Sequence, residues 1–484
     1  MREGFESVVG LECHVELSTE TKMFCGCRNA FGAHPNTNVC PVCLGLPGSL
    51  PVPNERAIES IVRIGLALAC SIATDSLFHR KNYFYPDMPK NFQISQYDLP
   101  VCVGGHLEIE VDGSPARIGI TRVHMEEDTG KTTHVGASGR IGRAEYALVD
   151  YNRAGVPLVE VVSEPDLRTP EQARTYFEEL RATLEALGVS DVRMEEGSLR
   201  CDANISVRRA GEATFGTKVE IKNLNSTRSL ERALRYEEER QRAALEDGGP
   251  IVQETRHFDE GSGTTHTLRS KEEAFDYRYF PEPDLPPLAP EAPWVEELRA
   301  SLPELPGARR RRYAGLGLRQ EQVRILVGSR ASAAFFEDTV ALGAEPSAAA
   351  TWVTQDLAGL ANATKTDLAD AKVTPRHVAD LIDMVEAGTV SVTGAKQVLE
   401  DAFETGDDAG SIVERRGLAQ VTDVPALEAW VDEAIAENPG PLERFRAGKE
   451  EALNALVGSV MKKSRGSANP KLVHELLRAR LSGS

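Results

Sequence analysis

The sequence predicts an α+β fold: a mainly antiparallel sheet domain with inserted helices, then an all-helical domain and a small helical tail. Three observations carry this. Residues 1 to about 285 are rich in Gly, in β-branched residues and in short apolar–polar alternations, the period-two signal of half-buried strands. Six prolines between Pro281 and Pro293 make a stiff extended connector. Beyond them, Ala, Leu, Glu and Arg recur at helical spacing. We place the sheet domain at 1–290, the helical domain at 291–408 and the tail at 409–484, with Gly406–Gly410 as a flexible joint.

The inserted helices are signed at their ends. Asn54 precedes a helix with Ile58, Ile61 and Leu68 on one face. Thr169-Pro170-Glu171-Gln172 supplies an N-cap, Pro in the first turn and Gln for a capping box. Ala173, Phe177, Leu180, Leu184 and Leu187 follow at helical spacing, and Gly188 stops the run. Ser226 opens a third helix, with Leu230 and Leu234 buried. In the helical domain, Thr374-Pro375 starts a helix that Gly388 ends.

Composition narrows the class. The chain has 484 residues, 41% hydrophobic and 27% charged, which predicts two or three globular domains. No apolar run approaches the roughly 20 residues that cross a bilayer, and Met1 to Glu6 lacks the core of a signal peptide. We expect a cytoplasmic protein. The net charge of -19 argues against a surface coated in Lys and Arg, while leaving room for a local basic patch.

Several strands carry chemistry on one face. In Val8–Leu17, Val9, Leu11, Cys13, Val15 and Leu17 alternate with Glu12, His14 and Glu16. In Ile118–Glu127, Arg122, His124 and Glu126 share a face. Arg200, Asp202, Asn204 and Ser206 oppose Cys201, Ala203, Ile205 and Val207. Lys218, Glu220 and Lys222 oppose Val219 and Ile221. Glu160 sits inside the apolar run Val156–Val162, where an unpartnered charge is costly. If these strands are neighbours, acids and cations combine on one surface, which suits magnesium–nucleotide chemistry. A sheet that meets water gives the same alternation, so the residues leave both readings open. Asp128-Thr129-Gly130-Lys131-Thr132 ends like a phosphate-binding loop, but Met125 stands where its first Gly belongs.

Four cysteines cluster as Cys25-Gly26-Cys27 and Cys40-Pro41-Val42-Cys43. This spacing suits a closed tetrahedral zinc site of structural type; four reduced, unligated thiols are the alternative. Cys13, Cys70, Cys102 and Cys201 are read as buried apolar side chains.

Long motifs then match a known family. Gly10-Leu11-Glu12-Cys13-His14-Val15-Glu16-Leu17, the cysteine segment through Gly48, Arg80-Lys81-Asn82-Tyr83-Phe84-Tyr85-Pro86-Asp87, Gln93-Ile94-Ser95-Gln96-Tyr97-Asp98 and His124-Met125-Glu126-Glu127-Asp128 resemble the GatB/GatE family. So do Asn152-Arg153-Ala154-Gly155, Gly197 to Asn204, Glu220 to Ser226, Asp276 to Asp284 and Leu456 to Lys463. The resemblance runs along essentially the whole chain.

It implies a cradle domain, a helical domain and a YqeY-like tail. It implies an amidase A subunit that frees ammonia from glutamine, and a small C subunit. ATP and magnesium would phosphorylate the side-chain carboxylate of Glu-tRNA(Gln) or Asp-tRNA(Asn), and ammonia would displace the phosphate. Carried onto this sequence, Glu12, His14, Glu126 and Glu160 are expected around magnesium, with Asp202 and Glu220 as further acids. Lys81, Arg200 and Lys222 are expected to hold phosphates or the substrate carboxylate. Tyr83 and Tyr85 are expected to line a pocket for the terminal adenosine of the tRNA. Cys25, Cys27, Cys40 and Cys43 are expected to bind zinc, although some relatives lack them. Cys13 replaces the usual Val or Ile and should face the core. In the tail, Lys462, Lys463, Arg465, Lys471, Arg478 and Arg480 suit phosphate contact; Arg309–Arg312 reads as a solvated run. Two other functions fit the sequence: an inert zinc-stapled tRNA-binding scaffold, and a paralogue serving another aminoacyl-tRNA.

Overall fold

The computed structural model describes residues 4–136, 144–270, 277–421, 423–446, 449–464 and 466–482. Two compact units divide the chain, Met1–Ala308 and Arg309–Ser484. In the first, the strands are β1 (Phe5–Glu16), β2 (Ser71–Ile72), β3 (His79–Asn82), β4 (Phe92–Ser95), β5 (Cys102–Val103), β6 (His106–Val111), β7 (Ser114–Glu127) and β8 (Lys131–Val135). They continue as β9 (Tyr146–Asp150), β10 (Pro157–Ser163), β11 (Leu199–Arg209), β12 (Val219–Lys222), β13 (Glu254–Asp259), β14 (Thr264–Ser270) and β15 (Phe280–Pro281). The main sheet runs β14-β13-β12-β11-β1-β10-β7-β5-β2, with β6 paired to β7. Among the described strand pairs of this unit, only β12–β13 is parallel. A separate small sheet runs β15-β3-β4, and β8 pairs with β9.

Helices α1 (Glu55–Ala67), α2 (Pro170–Leu187) and α3 (Thr227–Glu246) cover one face of the main sheet. Val9, Leu11, Cys13 and Val15 of β1 join Ile61 and Ile64 of α1, Phe177 and Leu180 of α2, and Leu230 and Leu234 of α3 in one core. The predicted caps form. Asn54 accepts from the N–H groups of Arg56 and Ala57, Thr169 from that of Gln172, and Ser226 from that of Ser229. Gly188 ends α2 at φ 66, a left-handed turn that Gly takes without a Cβ penalty. Phe177 is fully buried. Phe177→Ala should lower the unfolding free energy of this unit by about 3–5 kcal/mol, read from the shift of its urea midpoint at unchanged slope.

Two sequence expectations change. The proline-rich stretch is pinned to the first unit rather than spanning free space. β15 pairs with β3, Leu288 bridges to Ser76, and the buried Glu282 takes Arg80 by two bonds of 2.7 and 2.8 Å. Helix α4 (Ala292–Ala300) then packs Val295 and Leu298 into the same core. The joint at Gly406–Gly410 is a capped turn. Gly406 closes the helix Val392–Thr405 in the left-handed region, and Asp408 caps the helix Ala409–Arg416. The second unit is helical. One core gathers Tyr313, Leu326, Phe336, Leu357, Leu381, Val398 and Ile412. Another gathers Leu427, Val431, Leu456, Val460, Val473 and Leu477.

Candidate active site

The five polar-faced strands are consecutive neighbours, β12-β11-β1-β10-β7. Register decides which side chains meet. His124, Glu160, His14 and Arg200 form one row across β7, β10, β1 and β11. One step along, Glu12 pairs with Asp202; on β11 and β12, Asn204 pairs with Glu220.

Glu160 therefore has partners in its apolar strand. His14 Nε2 lies 3.5 Å and His124 Nε2 3.4 Å from its carboxylate. The same two ring nitrogens lie 3.9 and 4.0 Å from Glu126. Burial opposes the charge on Glu160, but the two histidines outweigh it and hold this carboxyl well below the usual range. Burial, then the charge of Glu160, pushes the Glu126 carboxyl up. For His14, burial alone would lower the pKa; the bond to Glu160 and the two carboxylate charges raise it. Ligand atoms of His14, Glu126 and Glu160 all lie within 4.8 Å of one another. The negative potential that raises the His14 pKa also attracts a divalent cation, and two carboxylates with an imidazole suit such an ion. His124 Nδ1 is buried with no hydrogen-bond partner.

Glu12 stands apart from this group, its carboxylate accepting from Asn204 Nδ2 at 2.9 Å. Lys222 pairs with Asp202 and, at 3.3 Å, with Glu220, which also accepts from Thr255 at 2.6 Å. At the other end of β1, Arg200 pairs with Asp128 at 2.6 Å and lies 3.8 Å from Glu16. Arg153 Nε is 3.5 Å from Asp128. Burial, then the Asp128 charge, pushes Glu16 to about 8. Asp128 goes the other way: burial is outweighed by Arg200 and Arg153. A cavity of about 600 Å³ opens beside Glu16, with Arg153, Lys131, Asn152 and Phe31 in its wall.

The small sheet supplies Lys81. Burial would lower its pKa, but the charges of Glu126, Tyr279 and Glu160 raise it. Its Nζ lies 5.1 Å above the Tyr277 ring. The Tyr83 and Tyr85 rings are 6.0 Å apart and tilted by 33°. Burial, then Asp87, lifts the Tyr83 hydroxyl to about 12.

Sequence reading did not single out His124 as a partner of Glu160, or Asp128 and Arg153 as partners of Arg200. His124 was visible on the polar face of its strand. Asp128 and Arg153 lie past the strand ends, where no period marks them.

The four clustered cysteines converge, with all sulfurs within 4.8 Å of one another. Cys40 and Cys43 sulfurs are 3.9 Å apart, close to the edge of about 3.8 Å that a tetrahedron with Zn–S bonds of about 2.3 Å requires. The backbone N–H of Cys40 donates to Cys43 Sγ at 3.1 Å. The thiols compete for protons. Sharing with Cys25 brings Cys43 down to about 5, and burial lifts Cys27 to about 11. Gly45 has φ 66, and a side chain there would strike Lys90, so this turn needs Gly.

In the tail, Lys463 bridges Glu433 and Glu437, each at 2.9 Å. Arg478 pairs with Glu450 and Arg480 with Asp432. Lys462 and Lys471 are exposed. Arg465 and Asp276 lie outside the described residues. Arg309 and Arg312 both reach Glu337.

Comparison with known proteins gives a consistent picture. A family model described as the GatB/GatE catalytic domain matches residues 7–296, and one described as the GatB domain matches residues 334–481. The B subunit of an aspartyl/glutamyl-tRNA(Asn/Gln) amidotransferase from Carboxydothermus hydrogenoformans is 52% identical over 483 residues, covering 100% of each chain. Proteins of the same name from Moorella thermoacetica and Frankia casuarinae are 54% and 56% identical, each matching 99% of this chain and covering 100% and 96% of their own lengths. Among the described residues, no helix is long and apolar enough to cross a membrane.

Proposed function

We propose a function from one established premise: the chain belongs to the GatB/GatE family. It is the B subunit of a cytoplasmic tRNA-dependent amidotransferase of translation, working with an amidase A subunit and a small C subunit. Its reaction activates the side-chain carboxylate of Glu-tRNA(Gln), Asp-tRNA(Asn) or both. A carboxylate oxygen attacks the γ-phosphorus of ATP and ADP leaves. Ammonia released from glutamine by the A subunit then attacks the acyl carbon, inorganic phosphate leaves, and the amide of Gln-tRNA(Gln) or Asn-tRNA(Asn) remains.

The observation that supports this most is the convergence of His14, Glu126 and Glu160 on the face of the sheet opposite the helices, with their ligand atoms all within 4.8 Å of one another. Phosphoryl transfer is mainly positioning and charge compensation. Magnesium bound by His14, Glu126 and Glu160 would offset the phosphate charge. Lys81 and Arg200 orient the anionic groups. Glu12, Asp202, Glu220 and Lys222 form the neighbouring wall and fix the approach of the substrate. Tyr83 and Tyr85 take the terminal adenosine of the tRNA. Zinc held by Cys25, Cys27, Cys40 and Cys43 is structural.

We read the first unit as the cradle and the two cores of the second unit as a helical domain and a tRNA-binding tail. Lys462, Lys463 and Lys471 contact tRNA phosphates there. Ion pairs to carboxylates as exposed as Glu433 and Glu437 are weak in water, so phosphate can replace the carboxylates on Lys463. Replacing Lys462 and Lys471 together with Ala should weaken tRNA binding at all sequences and reduce the salt slope by about two phosphate contacts. An unchanged slope removes the tail from the interface. The central test is reconstitution with A and C subunits, ATP, glutamine and misacylated tRNA. A complex that forms no ATP-dependent amide on either tRNA sinks the proposal.

A further inference from the structure

The reaction just proposed brings two adenosines to one site, that of ATP and that of the tRNA terminus. Tyr83 and Tyr85 provide aromatic surface for one. A second pair lies in the same small-sheet region. The Tyr97 ring is nearly parallel to that of Tyr279, with an interplanar angle of 11° and centroids 4.5 Å apart. Tyr277 stands edge-on to Tyr279 at 6.2 Å, and Lys81 Nζ lies over Tyr277.

Tyr97 is 58% exposed although it is stacked. Its position is nonetheless fixed. The neighbouring Gln96 is buried, accepts from the N–H groups of Val101 and Met125 at 3.3 and 3.1 Å, and donates to Ser76 at 2.6 Å. Asp98 takes His79 Nε2 at 3.1 Å, and the His79 ring meets Tyr97 edge-on. Met125 is the residue before Glu126, so the loop that presents Tyr97 is tied to the strand that presents the carboxylate. A large aromatic held rigidly with one side toward solvent loses little entropy when a flat ligand lands on it. Every purine has a π-face for such stacking.

We propose that Tyr97, backed by Tyr279, is a stacking platform for a purine base, the second of the two adenosines. The proposal rests on the function argued above. Its chemistry is the same for the adenine of ATP and for that of the tRNA end, and the test separates them. In the complex with A and C subunits, equilibrium binding of ATP and of Glu-tRNA(Gln) is measured separately for the unaltered protein, Tyr97→Leu and Tyr97→Phe. Tyr97→Leu should weaken one ligand about tenfold and leave the other unchanged; the weakened ligand identifies the adenosine. Tyr97→Phe keeps the ring and should bind both normally. Unchanged binding of both ligands by Tyr97→Leu overturns the platform alone. Equal loss in Tyr97→Phe and Tyr97→Leu also overturns it, since ring stacking would then not be the cause. An unaltered complex that binds neither ligand overturns the functional reading and the platform with it.

Discussion

Replacing Glu126 with Gln should slow ATP-dependent amide formation by about 10²–10³-fold, as severely as Glu160→Gln, while the glutaminase activity of a bound A subunit persists. The two carboxylates look unequal without an ion. Glu160 is held ionised by His14 and His124, whereas burial and the Glu160 charge favour a proton on Glu126. A neutral amide at position 126 resembles the acid form that this upward shift favours. If the site worked through Glu160 and the histidines alone, Glu126→Gln would be mild and Glu160→Gln severe. If a divalent cation is held by His14, Glu126 and Glu160, both carboxylates must ionise toward it, and both changes remove a ligand. The measurements are single-turnover amide formation and Mn²⁺ binding in the reconstituted complex. Near-normal activity and Mn²⁺ affinity in Glu126→Gln would exclude Glu126 as a ligand. Glu12→Gln is a useful contrast. Glu12 is bonded to Asn204, away from the other three, so its loss should spare Mn²⁺ binding and act on the chemical step.

These contrasts depend on register, which the sequence does not display. Period two alone showed that Glu12 and His14 point away from the core, because Leu11 and Cys13 beside them are apolar. It could not show that His14 faces Glu160 while Glu12 faces Asp202. Those pairings join residues more than 140 positions apart, and shifting a strand by one residue would reverse its faces. Caps were legible because a cap is local: Thr169, Ser226 and Gly188 act within one turn of their own helices. Composition misled where tertiary contacts intervene. Six prolines suggested a spacer, yet Glu282 and Leu288 fasten that stretch to the first unit. Gly406-Asp407-Asp408 suggested a joint, yet the same residues are the stop and start signals of two packed helices. Lys81 reached the candidate site through family resemblance, since nothing in its own four-residue strand marks it.

The cysteine cluster carries the second large effect. Purified protein should contain about one zinc per chain, and Cys43→Ser should lose it together with several degrees of thermal stability. Four thiols this close cannot all ionise. Without metal, the bond with Cys43 pushes Cys25 and burial pushes Cys27 toward the protonated form, while sharing with Cys25 draws Cys43 down. Zinc binding must expel those protons, so affinity should rise with pH and fall as the solution is acidified. An ion bound to the folded loop and not to the unfolded chain stabilises by about 4 kcal/mol when its free concentration is about a thousand times Kd. The loop has other anchors: Asn36 accepts from the Tyr151 N–H and donates to Val149, and Cys43 is itself buried. Metal loss should therefore loosen the loop without unfolding the sheet. The consequence reaches the site through Gly155, which lies between Cys43 and Glu127: a Cβ there would stand 3.6 Å from Cys43 and Lys22 and 3.8 Å from Glu127, ordinary contact distances. Glu127 accepts from the Ile94 N–H at 2.9 Å and so ties β7 to the small sheet that carries Lys81. Chelation should then lower amide formation more than tRNA binding. Metal analysis and calorimetry before and after chelation decide the matter, and a well-folded preparation with no zinc would end the four-cysteine assignment.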